Sequence, residues 1–204
     1  MRTSTRRPSA SAPRFSSLGL APGDRAPFQM GTVIDTAIAP FGCFKAGLVP
    51  VCTLPQHREI EMGELARRSE ATAYFVQADF SAFDLPGFAA RLASDHPSIR
   101  EIIVARGVAG SRARGFDALI ESVSLAQART RLAGVTIGTE DVLTFQLSGG
   151  TTGVPKIIPR FHAEYSGLRA RLGAPAAHER ARGPALRAPS STTPGRSRAS
   201  SPRW

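Results

Sequence analysis

The feature that most constrains the fold of this 204-residue chain is a regular alternation of short apolar runs with longer segments of helical periodicity. The runs are too short for buried helices, and several are rich in valine and isoleucine, as is typical of buried strands. The predicted strands are 26–30, 48–53, 72–77, 99–105 and 142–147, and the predicted helices are 33–46, 59–69, 86–94, 116–123 and 125–132. Because strands separated by helices form parallel pairs with helical crossovers, the sequence predicts an α/β fold with a largely parallel sheet and flanking helices.

Three single residues refine this pattern. Asp84 stands where its carboxylate would cap the helix over 86–94. Pro40 falls inside a predicted helix, where proline removes a backbone hydrogen bond and clashes with the preceding turn, at a cost of ~3 kcal/mol. Pro27 falls inside the first predicted strand, where proline is tolerated only at an edge or at a strand start. Both prolines therefore predict local destabilisation.

A glycine- and hydroxyl-rich segment, 148–153, follows the last predicted strand directly, and Lys156 comes three residues after its final glycine. Glycines allow the backbone to approach a ligand closely, so that consecutive N–H groups can converge on an anion. Hydroxyl groups add hydrogen-bond donors, and the lysine adds a compact positive charge. The segment therefore predicts a phosphate-binding loop, although such a turn between strands can also be a plain connection.

Two common nucleotide-binding loops do not match this segment. A Walker A loop has glycine directly before its lysine and a hydroxyl residue after it, whereas Pro155 and Ile157 flank Lys156 here. The dinucleotide fingerprint G-x-G-x-x-G also fails, because the glycines stand at 149, 150 and 153.

The segment resembles the phosphate loop of the AMP-forming acyl-adenylate synthetases, a family that includes acyl-CoA synthetases and the adenylation domains of peptide synthetases. Its continuation over 157–165, IIPRFHAEY, is similar to the branch that activates aryl acids for siderophores, such as 2,3-dihydroxybenzoate-AMP ligase. The resemblance covers about 18–165, including a helix-to-strand segment at 41–51. It implies that this region is the front part of the large amino-terminal α/β domain of an adenylate-forming enzyme.

The resemblance also implies a chemistry and a set of ligands. In this family a carboxylate attacks the α-phosphorus of ATP, giving an acyl-adenylate and pyrophosphate, and the acyl group then passes to a thiol. The implied cofactors are ATP and Mg²⁺, and the implied partners are an aromatic carboxylic acid and a carrier-protein thiol. The implied nucleotide-binding residues are Ser148, Gly149, Gly150, Thr151, Thr152, Gly153 and Lys156. No catalytic residue and no metal ligand is assigned.

The family pattern continues beyond what this sequence matches, with an acid pocket, an adenine and ribose site and a catalytic lysine. The 204-residue chain alone is therefore expected to bind ATP poorly and to be inactive as a ligase. The hypothesis is a fragment of an aryl-acid adenylating ligase acting on 2,3-dihydroxybenzoate or salicylate. A non-catalytic remnant, or a binding protein with a basic tail, remains the alternative.

The formal net charge of +10 is concentrated at the two ends. The leader 1–17 contributes +4 and the tail 166–204 contributes +7, which leaves −1 for the residues between them. A near-neutral centre argues against a nucleic-acid-binding domain. The predicted organisation is a disordered basic leader, a partial adenylation domain over 18–165 and a disordered Arg/Ala/Pro/Ser tail.

The two ends each allow two interpretations. The leader lacks the apolar core of a secretory signal, and its composition fits a disordered segment or an organelle transit peptide. The tail has the composition of GC-rich coding sequence read in a shifted frame, and also that of an arginine-rich tail for RNA or acidic partners.

The remaining features of the sequence indicate a soluble cytoplasmic protein. No apolar run reaches the roughly 18 residues of a membrane-spanning helix. Cys43 and Cys52 lack the spacing and the neighbouring histidines of a metal site, so the expectation is two buried free thiols, with a disulfide as the alternative.

Overall fold

The fold was analysed in a computed structural model, which describes residues 15, 18–122, 124–149, 153–165 and 167. The strands are β1 (Arg25–Gln29), β2 (Val49–Val51), β3 (Ala73–Gln77), β4 (Glu101–Ala105), β5 (Ala113–Gly115), β6 (Val142–Leu147) and β7 (Ile157–Phe161). The helices are α1 (Ile34–Ala46), α2 (Glu59–Ser69), α3 (Leu85–Asp95), α4 (Phe116–Glu121) and α5 (Leu125–Leu132). Each predicted strand and helix is present, with ends that differ from the prediction by at most two residues.

The described strands form one seven-stranded sheet in the order β5-β4-β3-β1-β2-β6-β7. Every neighbouring pair is parallel except β6 and β7, which are antiparallel and joined by the glycine-rich segment. The predicted α/β fold with a largely parallel sheet is therefore confirmed. Strand β2 lies between β1 and β6, so the chain segments that follow β2 and β6 leave the same edge of the sheet.

The sheet is covered on both faces, because successive side chains of a strand point to opposite sides. On β3, Phe75 packs with α1 and α4, whereas Tyr74 and Val76 pack with α2 and α3. Phe75 is 1% exposed and stacks on Phe28 of β1, with ring centroids 4.4 Å apart. Two apolar layers, one on each face, therefore hold the sheet.

The helix ends follow the local sequence. The Asp84 side chain accepts a hydrogen bond of 2.9 Å from the Gly87 N–H, which confirms the predicted cap of α3. Helix α1 ends at Gly47, whose φ of 73° lies in the left-handed region that glycine adopts without strain. This turn sends the chain directly into β2.

Pro27 departs from its prediction, because β1 is a central strand with β2 on one side and β3 on the other. The ladder to β2 pairs Arg25, Ala26 and Pro27, whereas on the other side Arg25 forms a single bridge to Ala71 and the ladder to β3 begins at Phe28. Pro27 therefore stands in a gap between two pairings on the β3 side, where its missing N–H interrupts no regular pair.

Several other expectations have different outcomes. Cys43 and Cys52 are both free; Cys43 is buried, but Cys52 is exposed, so the prediction of two buried thiols was wrong for the second. The leader 1–17 and the tail 166–204 lie, apart from Phe15 and Gly167, outside the described residues. In the part of the chain that the structure describes, no helix is both long and apolar enough to cross a membrane.

Replacing Pro40 with leucine is expected to stabilise the fold. Pro40 lies inside α1, where proline deprives the helix of one backbone hydrogen bond. The gain is partly offset because proline also restricts the unfolded chain, so we expect about 2 kcal/mol, or roughly 4–8 °C in Tm by thermal unfolding. Pro86 stands at the start of α3, where proline fits, so Pro86→Ala is the control and should not raise Tm. An unchanged Tm for Pro40→Leu would contradict the prediction.

Candidate functional site

The glycine-rich segment is closed at its base by two hydrogen bonds between Ser148 and Lys156. The Ser148 N–H donates to the Lys156 carbonyl oxygen at 2.9 Å, and the Lys156 N–H donates to Ser148 Oγ at 3.0 Å. Because Ser148 Oγ accepts one bond, its own proton remains available to a ligand. The segment is therefore a loop with fixed ends, carried by the β6–β7 hairpin.

Four of the seven predicted nucleotide-binding residues, Ser148, Gly149, Gly153 and Lys156, belong to the described part of this loop. Gly153 has a φ of 84°, a left-handed backbone that explains the need for glycine there. Lys156 is exposed and forms no ion pair with a described residue. Gly150, Thr151 and Thr152 lie outside the described residues.

A cavity of about 420 Å³ opens beside the base of the loop, at the carboxyl ends of β2 and β6. It is lined by Cys52, Leu54, His57, Gln146, Leu147, Ser148, Gly149 and Pro155. The two strands are joined at this end, because the Cys52 N–H donates to the Phe145 carbonyl oxygen at 2.9 Å. Ligands of open α/β sheets bind at the carboxyl ends of the strands, so this cavity has the position expected of a binding site.

The far wall of the cavity is the β2 loop, residues 54–58, which a buried amide holds in place. The Gln29 side chain, 0% exposed, donates to the carbonyl oxygens of Leu54 at 3.0 Å and of His57 at 2.9 Å. Its own oxygen accepts a hydrogen bond from the Tyr74 hydroxyl. The Arg58 guanidinium donates to the same His57 carbonyl oxygen at 2.8 Å, so this oxygen accepts two hydrogen bonds.

His57 is the one imidazole among the described residues that line this cavity. Its Nδ1 accepts a hydrogen bond of 3.3 Å from the Leu54 N–H, so the neutral ring carries its proton on Nε2. Burial lowers the pKa of His57 below its ordinary value, against the opposing effect of the Glu61 carboxylate. The direction of this shift favours the neutral ring at pH 7, with its donor at Nε2.

The sequence analysis did not assign His57, Gln146 or Cys52 to the binding site. These residues are distant in sequence from the loop or carry no motif, and only the adjacency of β2 and β6 brings them together. The signal that could have found them is the general rule that chain segments following neighbouring parallel strands meet. That rule requires the strand order, which the sequence did not provide.

Among the charged and polar residues of β7 and beyond, Arg160 contacts Gln146 in the cavity wall, whereas His162 lies elsewhere. Arg160 donates from Nε to Gln146 at 3.0 Å and pairs with Glu164 at 3.3 Å. His162 follows Phe161, which pairs with Val142 at the opposite end of β6, and it lines a different cavity of about 320 Å³. His162 is therefore not a neighbour of the phosphate loop.

The described residues do not offer a metal site. Among them, no group of three or more His, Cys, Asp or Glu side chains is placed to hold an ion. The cavity beside the loop has no Asp or Glu in its described lining. These residues thus fit an anionic ligand better than a resident cation.

The profile of the AMP-binding enzyme family matches residues 5–183 of this chain. The chain belongs to that family. The match includes the β6–β7 hairpin, the glycine-rich loop and the β2 loop. The residues that match the family therefore include those that form the loop and the cavity described above.

Relatives within the family are aryl-acid ligases. The chain is 38% identical over 149 residues to the salicyl-AMP ligase / salicyl-S-ArCP synthetase of Mycobacterium tuberculosis, covering 72% of the chain and 25% of the relative. It is 34% identical over 151 residues to the 2,3-dihydroxybenzoate-AMP ligase of Bacillus subtilis, covering 74% of the chain and 26% of the relative. The chain thus spans about a quarter of the length of these relatives.

Solved structures agree with the fold. The apo structure of Mycobacterium smegmatis MbtA superimposes with a TM-score of 0.67 at 30% identity, covering 78% of this chain and 28% of that one. The anthranilate CoA ligase AuaEII in complex with anthranoyl-AMP gives a TM-score of 0.65 at 22% identity, covering 82% and 31%, and supports the fold alone.

Proposed function

We propose that this chain carries the ATP-phosphate-binding part of an aryl-acid adenylating ligase, which converts a carboxylate and ATP into an acyl-AMP and pyrophosphate. The observation that carries the proposal is the loop closed by Ser148 and Lys156 at the carboxyl end of β6, in a chain of the AMP-binding family. The names of the relatives favour salicylate or 2,3-dihydroxybenzoate as the acid, in siderophore-type chemistry. The name of the mycobacterial relative, a salicyl-S-ArCP synthetase, favours a carrier-protein thiol as the acceptor.

Adenylation solves a chemical problem that a carboxylate presents. A carboxylate is a poor electrophile because its leaving group would be oxide, whereas an acyl-adenylate loses AMP. The protein must neutralise the charge that develops on the phosphates while the α-phosphorus is attacked, and positioned donors do this without reorganising. In the proposed function the loop supplies those donors to the phosphates that leave as pyrophosphate.

The residues of the loop fit a triphosphate tail. The Ser148 hydroxyl retains a proton to donate, and the exposed Lys156 ammonium supplies a positive charge. The backbone N–H groups of Gly149 and Gly153 belong to the same loop, with no Cβ to block their approach. We propose that Gly150, Thr151 and Thr152 complete this set. Mg²⁺ would have to arrive with the nucleotide, because the described residues do not fit a resident ion.

Removal of the Lys156 charge is expected to weaken ATP binding. The sequence contains two lysines, Lys45 and Lys156, so Lys45→Ala is a matched control that removes the same charge elsewhere. Binding of ATP and of tripolyphosphate to the purified chain can be followed by NMR titration, which tolerates millimolar affinities. We expect Lys156→Ala to raise Kd roughly tenfold for both ligands, and Lys45→Ala to leave it within about twofold.

Binding, rather than turnover, is the appropriate measurement for a chain that spans a quarter of its relatives' length. An equal loss in both lysine variants would indicate attraction by net charge and would contradict a specific loop. Binding that is unaffected by Lys156→Ala would refute the proposed function.

A further inference from the structure

The cavity beside the loop is lined by four polar side chains, and each of them has at least one polar contact with a described residue. Gln146 donates to the Tyr165 hydroxyl at 3.0 Å and accepts from Arg160 at 3.0 Å, so both ends of its amide are occupied. Cys52 Sγ lies 3.4 Å from the Thr144 hydroxyl, and Ser148 Oγ accepts from the Lys156 N–H. Two of the four keep a donor that forms no hydrogen bond to a described residue: the Ser148 hydroxyl, which belongs to the loop itself, and His57 Nε2–H on the opposite wall.

The His57 ring is unusually well fixed for a loop side chain. Its Nδ1 is bonded to the Leu54 N–H within the same turn. The carbonyl oxygen of His57 accepts bonds from both Gln29 and Arg58, and the Arg58 guanidinium lies 4.0 Å above the Phe83 ring. A donor that is positioned before the ligand arrives loses little entropy on binding.

We propose that His57 is a further phosphate-binding residue, donating from Nε2 to the phosphate tail that the 148–156 loop holds. This inference rests on the proposed function, and it adds a residue from the β2 loop, 91 residues before Ser148 in the sequence, to a site otherwise made by the β6–β7 hairpin.

The two parts of this site are far apart in the chain and meet only because β2 and β6 are neighbours in the sheet. The described lining of the cavity contains no carboxylate that would repel an anion. A neutral imidazole N–H is also a suitable donor to a phosphate that departs, because it stabilises the charge without forming a permanent ion pair. The ligand class is therefore an inorganic or nucleotide polyphosphate.

The direct test is an NMR titration of the histidine ring signals of the wild-type chain with inorganic pyrophosphate at pH 7.5. The sequence has four histidines, and His96 at the end of α3 is the internal reference. We expect a saturable shift of the His57 ring signals and no shift of those of His96. This measurement needs no substitution, so it does not depend on whether a variant folds.

Substitutions then separate a binding role from a structural one. His57→Ala is expected to raise the Kd for pyrophosphate about tenfold, whereas His57→Gln, whose carboxamide also offers an N–H, should stay within about threefold of the wild type. His96→Gln is the matched control and should leave Kd unchanged. Rescue by glutamine is the result that a merely structural role for the ring would not produce.

The outcomes distinguish this inference from the proposed function. If pyrophosphate binds in a manner that depends on Lys156 but the His57 signals do not move, the inference is overturned and the proposed function stands. If salicylate moves the His57 signals and pyrophosphate does not, the ring belongs to the acid rather than to the phosphates, which also overturns it. If Lys156→Ala leaves the binding of pyrophosphate unchanged, both this inference and the proposed function are overturned.

Discussion

Replacing Phe75 with alanine is expected to lower the free energy of unfolding by about 4 kcal/mol, the largest effect of any substitution considered for this protein. Phe75 is 1% exposed and lies on β3, an interior strand next to the central strand β1. Its ring stacks on Phe28 and meets Phe15 and Phe116 edge to face, with centroids 5.4 and 6.5 Å away. The alanine variant would lose these contacts and leave a cavity that the rigid strands cannot close.

Urea unfolding followed by far-UV circular dichroism measures this effect. Phe75→Leu is the control, because leucine fills most of the volume and should cost about 1–2 kcal/mol. A loss below about 1 kcal/mol for Phe75→Ala would mean that this aromatic cluster is not the centre of the fold.

The second large effect is expected at Gln29, which joins the core to the candidate site. Gln29→Leu should lower the free energy of unfolding by about 3 kcal/mol, since a buried polar group left without its partner costs about 1–3 kcal/mol. The substitution deprives the Leu54 and His57 carbonyl oxygens of one donor each and the Tyr74 hydroxyl of its acceptor. Burial raises the pKa of Tyr74 well above its usual value, so the hydroxyl keeps its proton at neutral pH and would be left without an acceptor.

The same urea titration tests the Gln29 variant, with Tyr74→Phe as its control. Phenylalanine keeps the ring and removes one hydroxyl, so we expect a smaller loss of about 1 kcal/mol. Equal stability of Gln29→Leu and the wild type would show that the β2 loop does not depend on this amide. The wall of the cavity would then need another explanation for its position.

Much of the fold could be predicted because its signals are local. Apolar runs and helical periodicity depend on neighbouring residues, and the observed α2 (Glu59–Ser69) and β6 (Val142–Leu147) coincide with their predicted ranges. Strand β5 (Ala113–Gly115) was missed, because its three residues include no large apolar side chain. It is a strand only because β4 provides a partner with backbone groups to pair.

The position of Pro27 shows the limit of a rule based on residue type. The rule for proline assumes a strand that is paired along its whole length on both sides. On the β3 side of β1 the pairing at Arg25 is separated from the pairing that begins at Phe28, so Pro27 stands at a position without a regular partner on that side. Only the register of three strands reveals such a position.

One part of the candidate site could be predicted from the sequence, and the other part could not. The loop at 148–156 is contiguous in sequence, and its residue types indicate an anion. His57 became visible only in the structure, because its place in the cavity depends on the order β1-β2-β6, and that order results from packing between distant segments.

The unequal exposure of the two cysteines has a practical consequence. Cys43 is buried, and burial raises the pKa of its thiol far above its ordinary value, which suppresses the reactive thiolate. Cys52 is exposed and forms part of the wall that His57 and Ser148 share. A maleimide fluorophore would consequently attach at a single position without any engineering, and would place a spectroscopic reporter of occupancy at the mouth of the pocket.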